Sequence, residues 1–306
     1  MATKFHLSVS PHIHSGKTTR GIMADVLIAL LPATVMGVIL FGLTSLAVIG
    51  VCIATCVLGE FLFNYIVKKE QTIGDLSAVV TGLLLALNLP ANIPLWQAAV
   101  GSLFAIIIVK CIFGGIGCNL VNPAITARVF MLMAFSPTMT KAAFPVDVTS
   151  SATPLVELAE GKALSLMDLF LGKNGGAIGE TCVLALVIGF IYLLVRKVIT
   201  WHTPVAFVLV TFLFSFAVKG DLMEAVAWIL SGGLFIGAIF MATDYTTSPS
   251  SPWGKIIFGV GCGILTVLIR FWGIYPEGVS YAILIMNILN PYIEKWTAPK
   301  VFGGVE

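Results

Sequence analysis

The 306-residue chain is 58% apolar and only 10% charged, against about a quarter charged in a soluble domain. Its 17 Lys and Arg and 15 Asp and Glu give a net charge of +2, too few groups to coat a water-soluble globule and no basis for binding nucleic acid. Soluble-enzyme and disulfide-framework classes are excluded as well, and the composition predicts an all-α polytopic membrane protein.

Residues 1–21 are polar and carry Lys4, Lys17 and Arg20. They lack the apolar core and cleavage site of a signal peptide, so a cytoplasmic N-terminal segment and a retained first span are expected. A bilayer's hydrocarbon core of about 30 Å needs roughly 20 apolar residues per helix. Ten spans are predicted on that basis, at 22–41, 43–66, 74–89, 94–113, 119–135, 179–195, 204–219, 222–242, 254–271 and 279–296. The third, fifth and seventh are short, and short or proline-ended apolar segments tend to line a site rather than face lipid. The first five spans form one unit, 22–135, and the last five another, 179–296. Residues 136–178 are the loop between them and 297–306 a C-terminal tail.

Lys and Arg accumulate on the cytoplasmic side of a membrane. With a cytoplasmic N-terminus that side receives Lys4, Lys17, Arg20, Lys68, Lys69, Lys110, Arg196, Lys197, Lys255, Lys295 and Lys300, which is eleven. The other side receives Lys141, Lys162, Lys173, Lys219 and Arg270, which is five. Both termini are therefore expected in the cytoplasm and loop 136–178 outside.

Asn119-Leu-Val-Asn122-Pro123 in span five echoes Asn287-Ile-Leu-Asn290-Pro291 in span ten, and each copy has a proline-punctuated break and an apolar span upstream. Five spans is an odd number, so two such halves have opposite topology. This inverted 5+5 repeat is the geometry of many transporters, with a site near the midplane. The pairs Gly233/Gly237 and Gly259/Gly263 are read as close helix-packing positions.

Ionisable groups at membrane depth are functional candidates by default. Asp25, Glu60, Asp75 and Asp244 are the candidates for ion coupling, with headgroup-level capping as the plainer account. Arg128 lies mid-span and needs an anion or several carbonyls, which means either a structural ion pair or an anionic cofactor edge. The two Asn residues of each repeated element, three apart, fall on one helix face, and the following proline frees a carbonyl one turn back. Such an amide cluster suits a heteroaromatic ring edge or a desolvated cation, or else serves as interhelical glue. The six cysteines have no iron–sulfur or zinc spacing and His6, His12, His14 and His202 no metal-ligand spacing, so Cys111 and Cys118 are read as packing thiols and no metal is expected. In the outer loop, Thr153-Pro154 is a helix start. That leaves Asp147 and the hydroxyl-rich run Ser150-Ser151 unexplained.

Asp147-x-x-Ser150-Ser151-Ala152-Thr153 resembles the Asp-x-x-Ser-Gly-Ala-Thr motif on which a flavin transferase esterifies FMN to threonine, with Ser151 in place of glycine. Gly82-Leu-Leu-Leu-Ala-Leu-Asn-Leu-Pro90, Asn119-Leu-Val-Asn-Pro-Ala124 with Arg128-Val-Phe130, Met241-Ala-Thr-Asp244 and Tyr275-Pro-Glu-Gly-Val279 through Met286-Asn287 extend the resemblance over nearly the whole chain. Together they are similar to the RnfD/NqrB family of bacterial cell-membrane proteins. The resemblance implies a subunit of the Rnf complex, an ion-translocating oxidoreductase. That complex passes electrons between ferredoxin and NAD through iron–sulfur clusters and flavins and couples this to Na+ or H+ translocation. It implies covalent FMN on Thr153 outside, with Asp147, Ser150 and Ser151 as its motif, and a non-covalent riboflavin toward the cytoplasm with Asn119, Asn122 and Arg128 as contacts. Its implied partners are membrane iron–sulfur subunits, a second FMN subunit and subunits meeting NADH and ferredoxin. A channel or carrier for a small polar solute has the same architecture and gives Asp147–Thr153 no role. A purely structural anchor leaves the buried Asn and Arg unexplained.

Overall fold

The computed structural model describes residues 18–140, 143–144, 153–162, 164–273 and 277–298. Among them the chain is helical throughout, with no strand beyond two isolated bridges. Asp147, Ser150, Ser151 and the His12–His14 pair lie outside the described residues.

Two long helices open the chain, α1 (Thr19–Phe41) and α2 (Leu43–Val67), hinged at Gly42 with φ 73°. Then come α3 (Ser77–Leu87), α4 (Leu95–Leu103) running on as a π-helix over Phe104–Cys111, and α5 (Pro123–Ala134). Three short helices follow, α6 (Ser136–Met139), α7 (Pro154–Ala159) and α8 (Leu166–Leu171). The second half is α9 (Val183–Val195), α10 (His202–Lys219), α11 (Leu222–Leu230), α12 (Leu234–Ile236) with a π stretch Gly237–Met241, α13 (Pro252–Trp272) and α14 (Val279–Thr297).

Four of these, α1, α2, α10 and α13, are long and apolar enough to cross a bilayer, and α11 with the α12–π segment makes a fifth span bent by 64°. The helices α3, α4 with its π stretch, α5 and α9 are apolar but shorter. In α3 every residue but Val79 is buried, as expected of a segment that lines a site. The long helices instead turn apolar residues outward, among them Ile28, Leu31 and Ile39 on α1 and Leu58, Leu62 and Ile66 on α2. That is the lipid-facing pattern of a protein whose solvent is hydrocarbon. Packing partners recur in order in the two halves. α2 lies against α3 and α4 and α10 against α11 and α13, while α4 meets α5 and α13 meets α14.

The structure corrects three expectations. The seventh span is not short, because α10 begins two residues earlier than predicted, at His202. The eighth is not continuous, because Ser231-Gly232-Gly233 interrupts it. Lys110 and Arg270, counted with the loops, are buried inside the protein. Removing them leaves ten basic residues on one side and four on the other, so the bias persists.

Gly259 and Gly263 do bring α13 onto α10, since a Cβ there would stand 2.7 Å from the Thr203 carbonyl and 2.9 Å from Val210. A close backbone approach joins the halves, where a Cβ at Gly189 on α9 would lie 2.3 Å from the Ala29 carbonyl of α1. Gly189→Leu is therefore expected to cost about 1–3 kcal/mol by overpacking. It should appear as a lowered thermal unfolding midpoint in detergent, with Gly50→Ala, where nothing lies within 4 Å, as the silent control.

Candidate functional site

The predicted site residues fall into two regions along α5. At its start, Asn122 is the N-cap, its side-chain oxygen accepting from the Ala124 and Ile125 amides at 3.0 and 3.3 Å. Pro123 is the first helical residue, where its missing N–H costs nothing. This corrects the picture of two asparagines on one helix face. Asn119 sits in the loop before α5, and only Asn287 and Asn290 share a helix, in α14, where Pro291 is internal. The two copies still meet. With its amide oriented to satisfy both atoms, Asn287 donates to the Thr247 carbonyl at 3.2 Å and accepts from the Asn122 N–H at 3.1 Å. Asn122 also donates to Asp244 at 3.3 Å, whose carboxylate accepts from Thr246 and Thr247 as well.

Asn119, Asn122 and Asp244 line one cavity of about 90 Å3, open at its mouth and walled by the start of α1, by α3, by the end of α9 and by Ile239 and Phe240 of the second π stretch. The Asn119 side-chain oxygen is buried with no partner, so the cavity wall carries an acceptor awaiting a donor. A ring bearing an N–H on its edge, such as an isoalloxazine, meets that requirement. The asparagine amides and the apolar faces of Met23, Val26 and Leu84 supply the rest.

The other candidate acids have partners of their own. Asp25 accepts from Tyr192 at 2.9 Å and from Arg196 at 3.1 and 3.3 Å, tying α1 to α9. Asp75 accepts from the Ser77 amide at 2.8 Å and its hydroxyl at 2.5 Å at the start of α3, which is a capping role. Glu60 is 2% exposed and takes both oxygens to Lys110, at 3.1 and 3.0 Å, with Thr72 donating at 2.6 Å. Of the two loop cysteines, Cys111 is buried as expected of a packing thiol, whereas Cys118 is exposed and packs in no core.

The second region lies on the far side of Arg128, six residues along α5 and 3% exposed. Its guanidinium donates to Glu277 through a short contact, to Glu180 at 3.3 Å and to Asn88 at 2.6 Å. Arg128 is thus committed to an ion-pair network at the opposite end from the Asn119 cavity, and it does not line that cavity. Here the structural ion pair prevails, with partners the sequence did not single out. Glu180 also accepts from the Ala177 amide. A second buried arginine, Arg270, donates to the carbonyls of Trp228 at 2.6 Å and Ser231 at 3.0 Å, the last turn of α11.

Glu180 and Glu277 also line a smaller cavity of about 20 Å3 with Thr153, Asn174, Thr181 and Gly232. Thr153 occupies the N-cap position of α7 with extended backbone, φ −62° and ψ 149°, but its hydroxyl makes no capping bond. A threonine at an N-cap ordinarily spends its oxygen on the helix. Among the described residues it does not here, and Thr153 is half-buried.

Replacing Arg128 by Met would leave Glu180 and Glu277 facing one another uncompensated, a loss of about 3–5 kcal/mol. The expected result is sharply reduced recovery of folded protein in detergent. Adding Glu180→Gln and Glu277→Gln to Arg128→Met should recover most of it, because the network is then neutral throughout.

Residues 6–303 match the model of the NQR2, RnfD, RnfE family. The chain is 45% identical over 304 residues to a subunit of the Na(+)-translocating ferredoxin:NAD(+) oxidoreductase complex of Acetobacterium woodii, covering 97% of this chain and 95% of that one. It is 40% identical to a subunit of the proton-translocating ferredoxin:NAD(+) oxidoreductase complex of Clostridium ljungdahlii, at 98% and 96% coverage. It is 37% identical to a subunit of the ion-translocating oxidoreductase complex of Stutzerimonas stutzeri, at 92% and 91%. Family match, full-length identity and apolar helices lead to one conclusion: the chain belongs to the NQR2, RnfD, RnfE family of integral membrane proteins.

Proposed function

We propose that this chain is the membrane subunit of an ion-translocating ferredoxin:NAD oxidoreductase, a translocase whose chemistry is shared with partner subunits. The full-length likeness to three proteins of such complexes carries this reading. The membrane is the bacterial cell membrane, with the termini cytoplasmic, loop 136–178 outside and the two five-span halves in inverted orientation. The charge bias and the recurring order of helix packing support that arrangement.

The chain contributes binding positions for two flavins, covalent FMN on Thr153 and non-covalent riboflavin in the Asn119–Asn122–Asp244 cavity. A flavin supplies one- and two-electron exchange, and the protein sets its position and electrostatic surroundings. An ester through Thr153 prevents loss of cofactor from the outer face, and the uncapped hydroxyl at a cavity supports it. Asn119 holds out an unpartnered acceptor to a ring N–H, Asn122 and Asp244 fix each other at the cavity wall, and Val80 and Leu84 exclude water from it. Arg128 acts as a structural tie between the two sites, not as a riboflavin contact. Asp25 and Asp75 have structural duties, which leaves Glu60 and Asp244, beside or lining the cavity, as the acids whose surroundings a change of ligand charge would alter.

Two measurements test this. Made with its flavin transferase, the denatured wild-type chain should be fluorescent in a gel and heavier by one esterified FMN, and Thr153→Ala should lose both properties. A dark, unmodified wild-type chain would overturn the covalent assignment and favour a solute carrier. Separately, acid extraction of the folded complex should release riboflavin, and Asn119→Leu should weaken its retention about tenfold, the worth of one buried hydrogen bond. Unchanged retention would remove Asn119 from the site.

A further inference from the structure

Lys110 is almost wholly buried, at 2% exposure. It stands at the end of the π stretch of α4, where the wider helix turn redirects side chains and departures from α geometry often mark function. Its ammonium group is bonded to both oxygens of Glu60 and to the Ser77 hydroxyl at 2.5 Å. Ser77 in turn donates to Asp75. Both Lys110 and Ser77 line the Asn119 cavity.

This arrangement is costly as mere structure. A buried ion pair is rarely more stable than an apolar pair of the same size, and α2, α3 and α4 already pack through Cys56, Ala78 and Ile106. What it supplies to the cavity is the ammonium end of a buried ion pair whose carboxylate end does not line it, a dipole that acts much more strongly in a low-dielectric wall than in water. Among the described residues the charged side chains lining that cavity are Lys110 and Asp244, and Asp244 is bound to Asn122, Thr246 and Thr247. Glu60 and Ser77 hold the ammonium in place.

We propose that Lys110 is the positioning cation of this cavity, stabilising the negative charge that a bound ring acquires on reduction, with Glu60 and Ser77 setting its place and strength. The inference rests on the riboflavin reading of the cavity. Two electrons from the complex's ferredoxin-to-NAD chain and one proton from water leave one negative charge on the ring, and Lys110 balances it without giving up a proton. Without Lys110 a second proton must accompany the two electrons.

The test uses the intact complex. Lys110→Met alone would strand Glu60, so the informative variant is Lys110→Met with Glu60→Gln, which replaces the pair by neutral groups of similar size. The readout is a spectroscopic redox titration of the non-covalent flavin at several pH values, with the Thr153-linked flavin as internal reference. In the double variant, extractable riboflavin should stay within about twofold of wild type, since a single charge-independent contact set still holds the oxidised ring. Its midpoint potential should fall, and the dependence on pH should steepen toward one proton per electron. Lys110→Arg should stay near wild type. If the double variant does not assemble, Ser77→Ala gives the same readout, with a smaller shift in the same direction. An unmoved potential and pH dependence in whichever of these variants assembles, or riboflavin lost from a folded double variant, overturns the role of Lys110 and leaves the riboflavin reading standing. Absence of extractable riboflavin from the wild type overturns both.

Discussion

Polar groups at membrane depth are stabilised chiefly by partners inside the protein, because the solvent there is hydrocarbon. The Arg128 network is where that constraint does the most to set the fold. One guanidinium joins α3 through Asn88, the segment before α9 through Glu180 and the segment before α14 through Glu277. Two of those partners belong to the second half of the chain and one to the first. A bilayer gives no hydrophobic drive to bring two bundles of apolar helices together. An ion-pair network whose disruption leaves naked charges at depth does give one.

The break in the eighth span follows from the same network. A side chain at Gly233 would stand 3.0 Å from both Arg128 and Glu180, and Gly232 has φ 69°. The chain opens there so that the charges can sit beside backbone. Each exposed helix end then meets a suitable charge. Arg270 donates to the last carbonyls of α11, while Glu180 lies near the first residues of α12, in keeping with the sign of the helix dipole. The negative end of a broken span, which in other membrane proteins receives a metal cation, is here satisfied by an arginine of the protein itself.

How much of this was legible in the sequence follows from sequence distance. The spans were readable because hydropathy is local, and the brevity of α3 and α5 showed in the run lengths. Arg128 and Asn122 stood out because each is expensive at depth. Their partners did not, since Glu180 and Glu277 lie 52 and 149 residues from Arg128. Lys110 was hidden in the same way, as an apparent loop cation whose burial depends on Glu60, fifty residues away. The repeated Asn-Pro elements illustrate a different limit. One sequence pattern becomes an N-cap at Asn122 and a mid-helix pair at Asn287, because a loop precedes the first copy and eight helical residues precede the second. In space the two elements meet, with Asn287 bonded to the amide of Asn122.

The short helix α5 then organises both cavities. Asn122 opens it at the wall of the larger one, and Arg128 follows six residues later beside the acids that line the smaller one. At 1.5 Å rise per residue those positions are about 9 Å apart along the axis. A twelve-residue helix is too short to cross a membrane but long enough to span the interior between two sites. It is capped at one end by a residue of the first site and tied near its middle to residues of the second. Movement of α5 along its axis would therefore disturb both sites at once. The asparagine contacts with Asp244 and Asn287 at one end, and the ion pairs near its middle, oppose that movement. A change of charge in the larger cavity acts on Asn122 and Asp244 first. Its effect reaches the smaller cavity through a helix held by side-chain bonds at both Asn122 and Arg128.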